Sequence, residues 1–122
     1  GTENSLTQRN LRVNPTILSG DIGTQGNRND NAYNVISNVN NGLNATAVLD
    51  GFIIRDGQAN KAEYARQRGA GMININSSPL VINCIFTSNF TLVYGGAVFN
   101  EGATSTPTFV NCVFSGNQAQ WG

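Results

Sequence analysis

The chain has 122 residues, a length that suits one domain, and its seven basic residues are balanced by seven acidic ones. A formal net charge of zero provides no electrostatic attraction for nucleic acid or for an acidic membrane. The sequence contains no histidine and no run of about twenty apolar residues, which excludes imidazole bases, most zinc sites and direct membrane insertion by a helix.

Turns rather than ion pairs organise this sequence, because 11% of its residues are charged whereas globular domains usually carry roughly 25%. The apolar runs Thr16 to Ile22 and Tyr33 to Val39 predict strands of irregular coils. The polar stretches Gly23 to Asn31 and Asn40 to Asn44 predict loops, so residues 1–45 form an irregular N-terminal part of the domain.

The first of these loops offers oxygen ligands at alternating positions from Gly26 to Asn31, which is how a calcium loop begins. It contains one carboxylate, Asp30, and no glutamate follows where such a loop requires a bidentate ligand. A turn is therefore the favoured interpretation. We expect no cofactor, and calcium is the one metal that the sequence leaves open.

Two short strands that meet at a corner are predicted between Leu49 and Ile54. Residues 55–68 follow as an insertion that leaves the wall, and because exposed loops carry many binding contacts it is the candidate binding loop. Its charged residues are Arg55, Asp56, Lys61, Glu63, Arg66 and Arg68. Regular coils, interrupted by this insertion, are expected over residues 46–122.

An internal repeat is the main signal, because Ser77 to Asn89 matches Ser105 to Asn117 at a constant spacing of 28 positions, as from Cys84 to Cys112. A repeat of this length, made of strands and without a helical pattern, suits one turn of a solenoid. The sequence therefore predicts an all-β, right-handed parallel β-helix of about three coils, forming a single segment.

Equivalent side chains of successive coils should stack in ladders, since neighbouring strands of a parallel sheet lie about 4.8 Å apart. Asparagine suits the corners because it tolerates left-handed backbone and its amide can bond to the copies above and below. Cys84 and Cys112 could form a disulfide, but free buried thiols are favoured because side chains in parallel register suit that bond poorly. The predicted ladders pair Asn83 with Asn111, Asn89 with Asn117, Cys84 with Cys112, and Phe86 with Phe114.

A family resemblance is carried by short motifs within the repeat. Phe86-Thr87-Ser88-Asn89 and Phe114-Ser115-Gly116-Asn117 follow an F-x-x-N pattern, and Gly95-Gly96-Ala97-Val98 follows G-G-A-[ILV]. These motifs resemble the repeats of the polymorphic outer-membrane protein family of autotransporter adhesins. The chain also resembles bacterial β-helix surface proteins, many of them exported by type IX secretion. The resemblance implies an extracellular or cell-surface location and a fragment of a longer helix.

No catalytic residue is assigned, because none of the seven acidic residues shares the repeat register with another, although Asp50 and Asp56 could lie near each other around the third strand. The leading hypothesis is a structural or adhesive segment that presents loops to other segments or copies of a surface protein, or to a host or cell-surface protein or glycan. The alternatives are part of a carbohydrate-binding or carbohydrate-cleaving β-helix, and a subunit of an extracellular filament or surface assembly. An outward apolar face is predicted from Ile53, Ile82, Ile85, Val110 and Val113, and it reflects either strand propensity or a covered surface.

Overall fold

A computed structural model describes residues 4–61 and 67–121, and every strand pair in them is parallel. The described residues contain two short 3-10 helices, Leu6–Gln8 and Arg28–Asp30, and no α-helix. The strands are β1 (Thr16–Ser19), β2 (Ile36–Val39), β3 (Val48–Asp50), β4 (Phe52–Arg55), β5 (Gln58–Ala59), β6 (Met72–Ile75), β7 (Leu80–Ile82), β8 (Ile85–Thr87), β9 (Phe90–Thr91), β10 (Val98–Glu101), β11 (Thr108–Val110), β12 (Val113–Ser115) and β13 (Gln118–Ala119).

The strands form four sheets, which are the walls of a solenoid. Wall A contains β1-β4-β8-β12, wall B β2-β6-β10, wall C β3-β7-β11 and wall D β5-β9-β13. The chain visits walls B, C, A and D in that order three times, so each visit to all four walls is one coil. The predicted parallel β-helix of about three coils is confirmed.

Coil length varies although the wall register is regular. Asn83 and its partner Asn111 are 28 residues apart, as the sequence repeat indicated. In wall B, Asn38 and Asn74 are 36 residues apart, whereas Asn74 and Asn100 are 26 apart. The differences are absorbed between strands, where the backbone can leave the wall without disturbing the ladder bonds.

The candidate binding loop begins later than the sequence indicated. Arg55 is the last residue of β4, and Gln58–Ala59 form β5 in register with β9. The chain returns at Arg68, which forms a parallel bridge with Tyr94. Part of residues 55–68 is therefore wall, because their backbone groups pair with the following coil. Glu63 and Arg66 lie outside the described residues.

The core lies inside the coil and is formed by walls A, B and C. Its fully buried members are Ile54, Met72, Val81, Cys84 and Phe86. Leu49, Phe52, Phe109 and Cys112 pack against it from neighbouring coils. Burying a side chain of the size of Phe86 contributes roughly 1.5–3 kcal/mol, so this stack supplies much of the stability of a small domain.

Candidate functional site

A ladder of three asparagines runs along wall B, and two of them, Asn38 and Asn74, are buried while Asn100 is exposed. The Asn38 side-chain amide donates to Asn74 Oδ1 at 2.8 Å, and the Asn74 amide donates to Asn100 Oδ1 at 2.8 Å. Asn74 is fully buried, so both hydrogen bonds are shielded from water at that residue. This ladder was not predicted from the sequence, although Asn74 and Asn100 each follow a glycine turn and a short apolar strand.

The Asn83 and Asn111 side chains form a second ladder, at the corner between walls C and A. Both residues have left-handed backbone, with φ of 53° and 52°. The Asn111 amide donates to Asn83 Oδ1 at 2.7 Å, and the Asn83 amide donates to Asp50 Oδ1 at 2.8 Å. A carboxylate therefore ends this ladder, one coil below Asn83 and two coils below Asn111.

Arg9 reaches Asp50 from the N-terminal segment and forms an ion pair with its second carboxylate oxygen. The hydrogen bond from Asn83 lowers the pKa of Asp50 most, and the hydrogen bond and charge of Arg9 add to this effect against the opposing effect of burial. Leu11 covers the adjacent corner at Gly51, where an added Cβ would lie 2.8 Å from Leu11 Cδ2. The N-terminal segment is therefore held against this corner by charge and by packing.

Asn89 and Asn117 stack at the corner between walls A and D. The Asn89 side-chain amide donates to Asn117 Oδ1 at 2.9 Å and to the carbonyl of Ile54 at 3.1 Å, while its Oδ1 accepts from the backbone N–H of Gly57 at 3.0 Å. With an exposed fraction of 1%, Asn89 is committed to the interior. The Asn-x-Thr sequence that begins at Asn89 is therefore no accessible glycan acceptor in the folded chain.

The stacked cysteines are both free thiols. Cys84 is fully buried and donates to the carbonyl of Ile82 at 3.2 Å, and Cys112 is partly buried and donates to the carbonyl of Val110 at 3.4 Å. Burial raises the pKa of the Cys84 thiol, which lowers its reactivity as a nucleophile. Beside them, Phe86 stacks on Phe114.

The charged residues of the candidate binding loop are not gathered into one described site. Arg55 and Asp56 pair with each other at 3.0 Å, next to the corner between walls A and D. The guanidinium of Arg68 lies 5.7 Å from the ring centroids of both Tyr94 and Phe99, so it covers an aromatic part of the wall. Lys61 is exposed.

A groove without charged residues follows the corner between walls B and C over three coils, and we call it the hydroxyl groove. It has a volume of about 530 Å³. The Ser78 hydroxyl donates to the carbonyl of Thr104 at 2.6 Å and lies 3.3 Å from Thr106 Oγ1, which ties two coils together at its centre. Its polar lining is Asn44, Asn76, Ser78, Thr104, Thr106 and Thr108.

An aliphatic stripe runs up the outer face of wall A. Register places Ile17, Ile53, Ile85 and Val113 in one column. Ile17, Ile85 and Val113 are 41%, 37% and 52% exposed, so the outward face predicted from the sequence is open to solvent in this chain. In wall C, Val110 is also exposed and Ile82 is partly buried.

These features define the class of protein: a parallel β-helix whose coils are joined by asparagine ladders. A family model of the Chlamydia polymorphic membrane protein repeat matches residues 83–101. The matched segment includes the predicted Phe86-Thr87-Ser88-Asn89 and Gly95-Gly96-Ala97-Val98 motifs, so the resemblance is confirmed there. The repeat indicates a surface or outer-membrane protein.

Two further comparisons are negative: no curated protein and no solved structure matches the chain. Among the described residues, no helix has the length and apolar character needed to cross a membrane. The same residues contain no group of three or more histidine, cysteine, aspartate or glutamate side chains placed to share a metal ion.

Proposed function

We propose that this chain is a rigid structural segment of a cell-surface protein that holds adhesive contacts at fixed heights along the helix axis. The single observation that carries the proposal is the axial hydrogen bonding of side chains between coils, from Asn38 through Asn74 to Asn100. Each of these bonds contributes on the order of 1 kcal/mol, and each opposes sliding of one coil over the next. A rigid wall of this kind suits the presentation of adhesive contacts better than catalysis.

The carboxylates near the walls act as structural acceptors. Asp50 accepts hydrogen bonds from Asn83 and Arg9, and Asp21 accepts from the backbone N–H of Gly26 at 3.0 Å. Asp56 is paired with Arg55. Acid–base cleavage of a glycosidic bond needs two carboxyl groups on either side of it. Asp50 lies at a different corner from Asp21 and Asp56, and each of the three already accepts from a protein donor. The proposed role is therefore non-enzymatic.

The contact surface that we favour is the hydroxyl groove. Loops of three successive coils line this groove, so a ligand lying along the groove would contact side chains of all three coils. Exposed Thr106 and Thr108 present hydroxyls beside the amide of Asn44, and their neighbourhood carries no charge. Hydroxyls and amides recognise uncharged polar ligands by hydrogen bonds that either partner can donate or accept.

This composition also favours a second candidate function, the binding of a neutral glycan along the hydroxyl groove. A glycan displays closely spaced hydroxyl groups, which match the alternating hydroxyls and amides of the lining. Leu43 adds one partly buried apolar side chain against which a sugar ring could pack. Under this function the groove would bind sugar, and cleavage is not part of the proposal.

Adhesion can be tested by coupling the chain to beads and measuring their retention on cells and on immobilised neutral glycans. The double variant Thr106→Val/Thr108→Val keeps the β-branched side-chain shape and removes two hydroxyls from the groove. Its matched control is Thr87→Val in β8, outside the groove. We expect the double variant to lose at least half of the retention and the control to keep it.

Two results would contradict the proposal. Retention no greater than that of bare beads would remove the adhesive role. If the chain released reducing sugar from a neutral polysaccharide, and the double variant Asp50→Asn/Asp56→Asn abolished this release, the chain would have a catalytic role instead of the proposed one. Retention on cells but not on glycans would keep adhesion and remove the glycan candidate.

Export is part of the proposal, and the sequence resemblance to type IX-secreted β-helix proteins names the expected route. Cell fractionation of the producing bacterium, with an antibody against this chain, tests it. Surface signal that disappears when type IX secretion is inactivated is the expected result. An undiminished surface signal would reject that route while leaving the surface location intact.

A further inference from the structure

The loop formed by residues 21–31 is an excursion from the wall that closes on itself. The backbone N–H of Ala32 donates to the carbonyl of Gly20 at 2.8 Å, so the two ends of the excursion lie side by side. Its internal contacts differ from those of the calcium loop that the sequence left open. Asn27 Oδ1 accepts from the N–H of Asn29 as the cap of a 3-10 helix, and Asp30 accepts from the N–H of Thr24 at 2.9 Å.

The excursion folds against the corner between walls A and D and encloses a cleft of about 230 Å³. Asp21, Arg28 and Asn31 line it from the excursion, and Asp56, Gln58 and Ser88 line it from the wall. Asp56 and Ser88 occupy equivalent corners of successive coils, since the preceding residues Arg55 and Thr87 are paired. Both have left-handed backbone, with φ of 61° and 57°.

Asn31 carries the unusual feature of this cleft. It is 8% exposed, and its side-chain amide donates to the backbone carbonyl of Asp56 at 2.9 Å, which fixes the orientation of the group. Its Oδ1 is buried and receives no hydrogen bond from the described protein atoms. A buried acceptor of this kind costs free energy unless a donor or a cation reaches it.

We propose that the cleft binds a calcium ion between Asn31 Oδ1 and the carboxylates of Asp21 and Asp56. Calcium takes six to eight oxygen ligands in flexible geometry, and it accepts amide and hydroxyl oxygens beside carboxylates. Gln58 and Ser88 offer such neutral oxygens in the same cleft. Two carboxylates, rather than three or four, place the expected dissociation constant in the extracellular range of about 10⁻⁴–10⁻³ M.

The ion would join the excursion to two coils at once, which is a role that neither the ladders nor the core performs. Arg28 also lines the cleft, and Arg55 pairs with Asp56 at 3.0 Å, so both positive charges oppose the binding of a cation. Removing a negative charge and removing a positive charge from the cleft should therefore change the calcium affinity in opposite directions. Removing a carboxylate should weaken calcium binding, whereas removing Arg28 should strengthen it.

The test is calorimetric titration of the chain with calcium chloride, and separately with magnesium chloride, at constant ionic strength. We expect one calcium site per chain, weaker binding of magnesium, and a Tm that rises with calcium concentration. Asp56→Asn should raise the calcium Kd at least tenfold. This variant should fold, because asparagine already occupies left-handed corners at positions 40, 76, 83 and 111.

Two further variants make the test specific. Arg28→Gln should lower the Kd severalfold, and Glu101→Gln, which removes one negative charge from wall B, should leave it within twofold. The proposal is overturned if calcium up to 10 mM, on the order of ten times the largest expected Kd, produces neither heat nor a change of Tm. It is equally overturned if Glu101→Gln weakens binding as much as Asp56→Asn.

Discussion

Phe86 and Phe114 stack almost in parallel in successive coils, with ring centroids 5.1 Å apart and planes 12° apart, yet Phe86 is fully buried and Phe114 is 49% exposed. The difference arises because β8 has a strand on each side in its sheet, whereas β12 is the outermost strand. One side chain type in one ladder therefore occupies two environments.

The first prediction uses this pair. Phe86→Ala should lower the free energy of unfolding by about 3–5 kcal/mol, because it leaves a cavity between two coils. Phe114→Ala should cost less than half as much, since the exposed ring loses fewer contacts. Chemical denaturation of both variants measures the difference, and equal losses would contradict the coil order assigned to these strands.

The second prediction concerns the asparagine ladder of wall B. Asn74→Ala removes the acceptor of the buried Asn38 amide and should lower the free energy of unfolding by about 1–3 kcal/mol. Asn100→Ala should cost less, because Asn100 is exposed and water can replace its contact with Asn74. Urea unfolding measures the free energy of unfolding of both variants. A larger loss in Asn100→Ala than in Asn74→Ala would contradict this explanation from burial.

The third prediction is a pH dependence at Asp50. Its pKa is lowered in the folded chain from a usual value of 3.8, first through the hydrogen bond from Asn83 and then through Arg9. The contribution of Asp50 to the free energy of unfolding is therefore complete at pH values above the pKa of its carboxyl in the unfolded chain. It is lost as the pH falls through the lower pKa that this carboxyl has in the folded chain. Asp50→Asn should flatten the decline of stability below pH of about 4. Arg9→Gln should flatten it only in part.

Urea midpoints measured between pH 7 and pH 2.5 test this prediction. The sign is fixed, because a lowered carboxyl pKa can only make acid destabilising at this site. An Asp50→Asn variant that keeps the full acid dependence of the natural chain would exclude the proposed contribution of Asp50.

The fourth prediction separates the two thiols. Iodoacetamide should alkylate Cys112 in the folded chain and leave Cys84 unmodified, because Cys84 is fully buried and its pKa is raised by that burial. Cys84 should react once the chain is unfolded. Mass spectrometry of the alkylated protein checks both steps. A disulfide between the two residues, seen as protection of both thiols until reduction, would contradict their free state.

The 28-residue repeat predicted the coil because matched residues such as Cys84 and Cys112 fall one full turn apart. The same logic missed Asn38, whose spacing to Asn74 is 36, since a ladder with changing spacing has no constant period in the sequence. It also missed β5, because Gln58–Ala59 are too short for an alternating pattern and are recognisable only through their pairing with β9.

Contacts between irregular segments are still harder to predict from the sequence. Arg9 and Asp50 are 41 positions apart, and Arg9 belongs to no repeated motif that could place it beside Asp50. The cleft beside Asn31 likewise depends on how an irregular loop folds against a corner, and local residue preferences do not determine that packing. The charged insertion was recognised by composition, but its first residues are wall, which composition cannot show.

The hydrogen bond that joins Gly20 to Ala32 brings the two ends of the excursion together, and the bond from Asn31 to Asp56 holds its last residue on the wall. A foreign peptide grafted in place of residues 22–30 would leave both of these bonds intact, so the stacking of neighbouring turns would not need to adjust. Sequence changes in this part of the excursion therefore need not disturb the packing inside the wall. The same segment is a place where an epitope could be inserted for display.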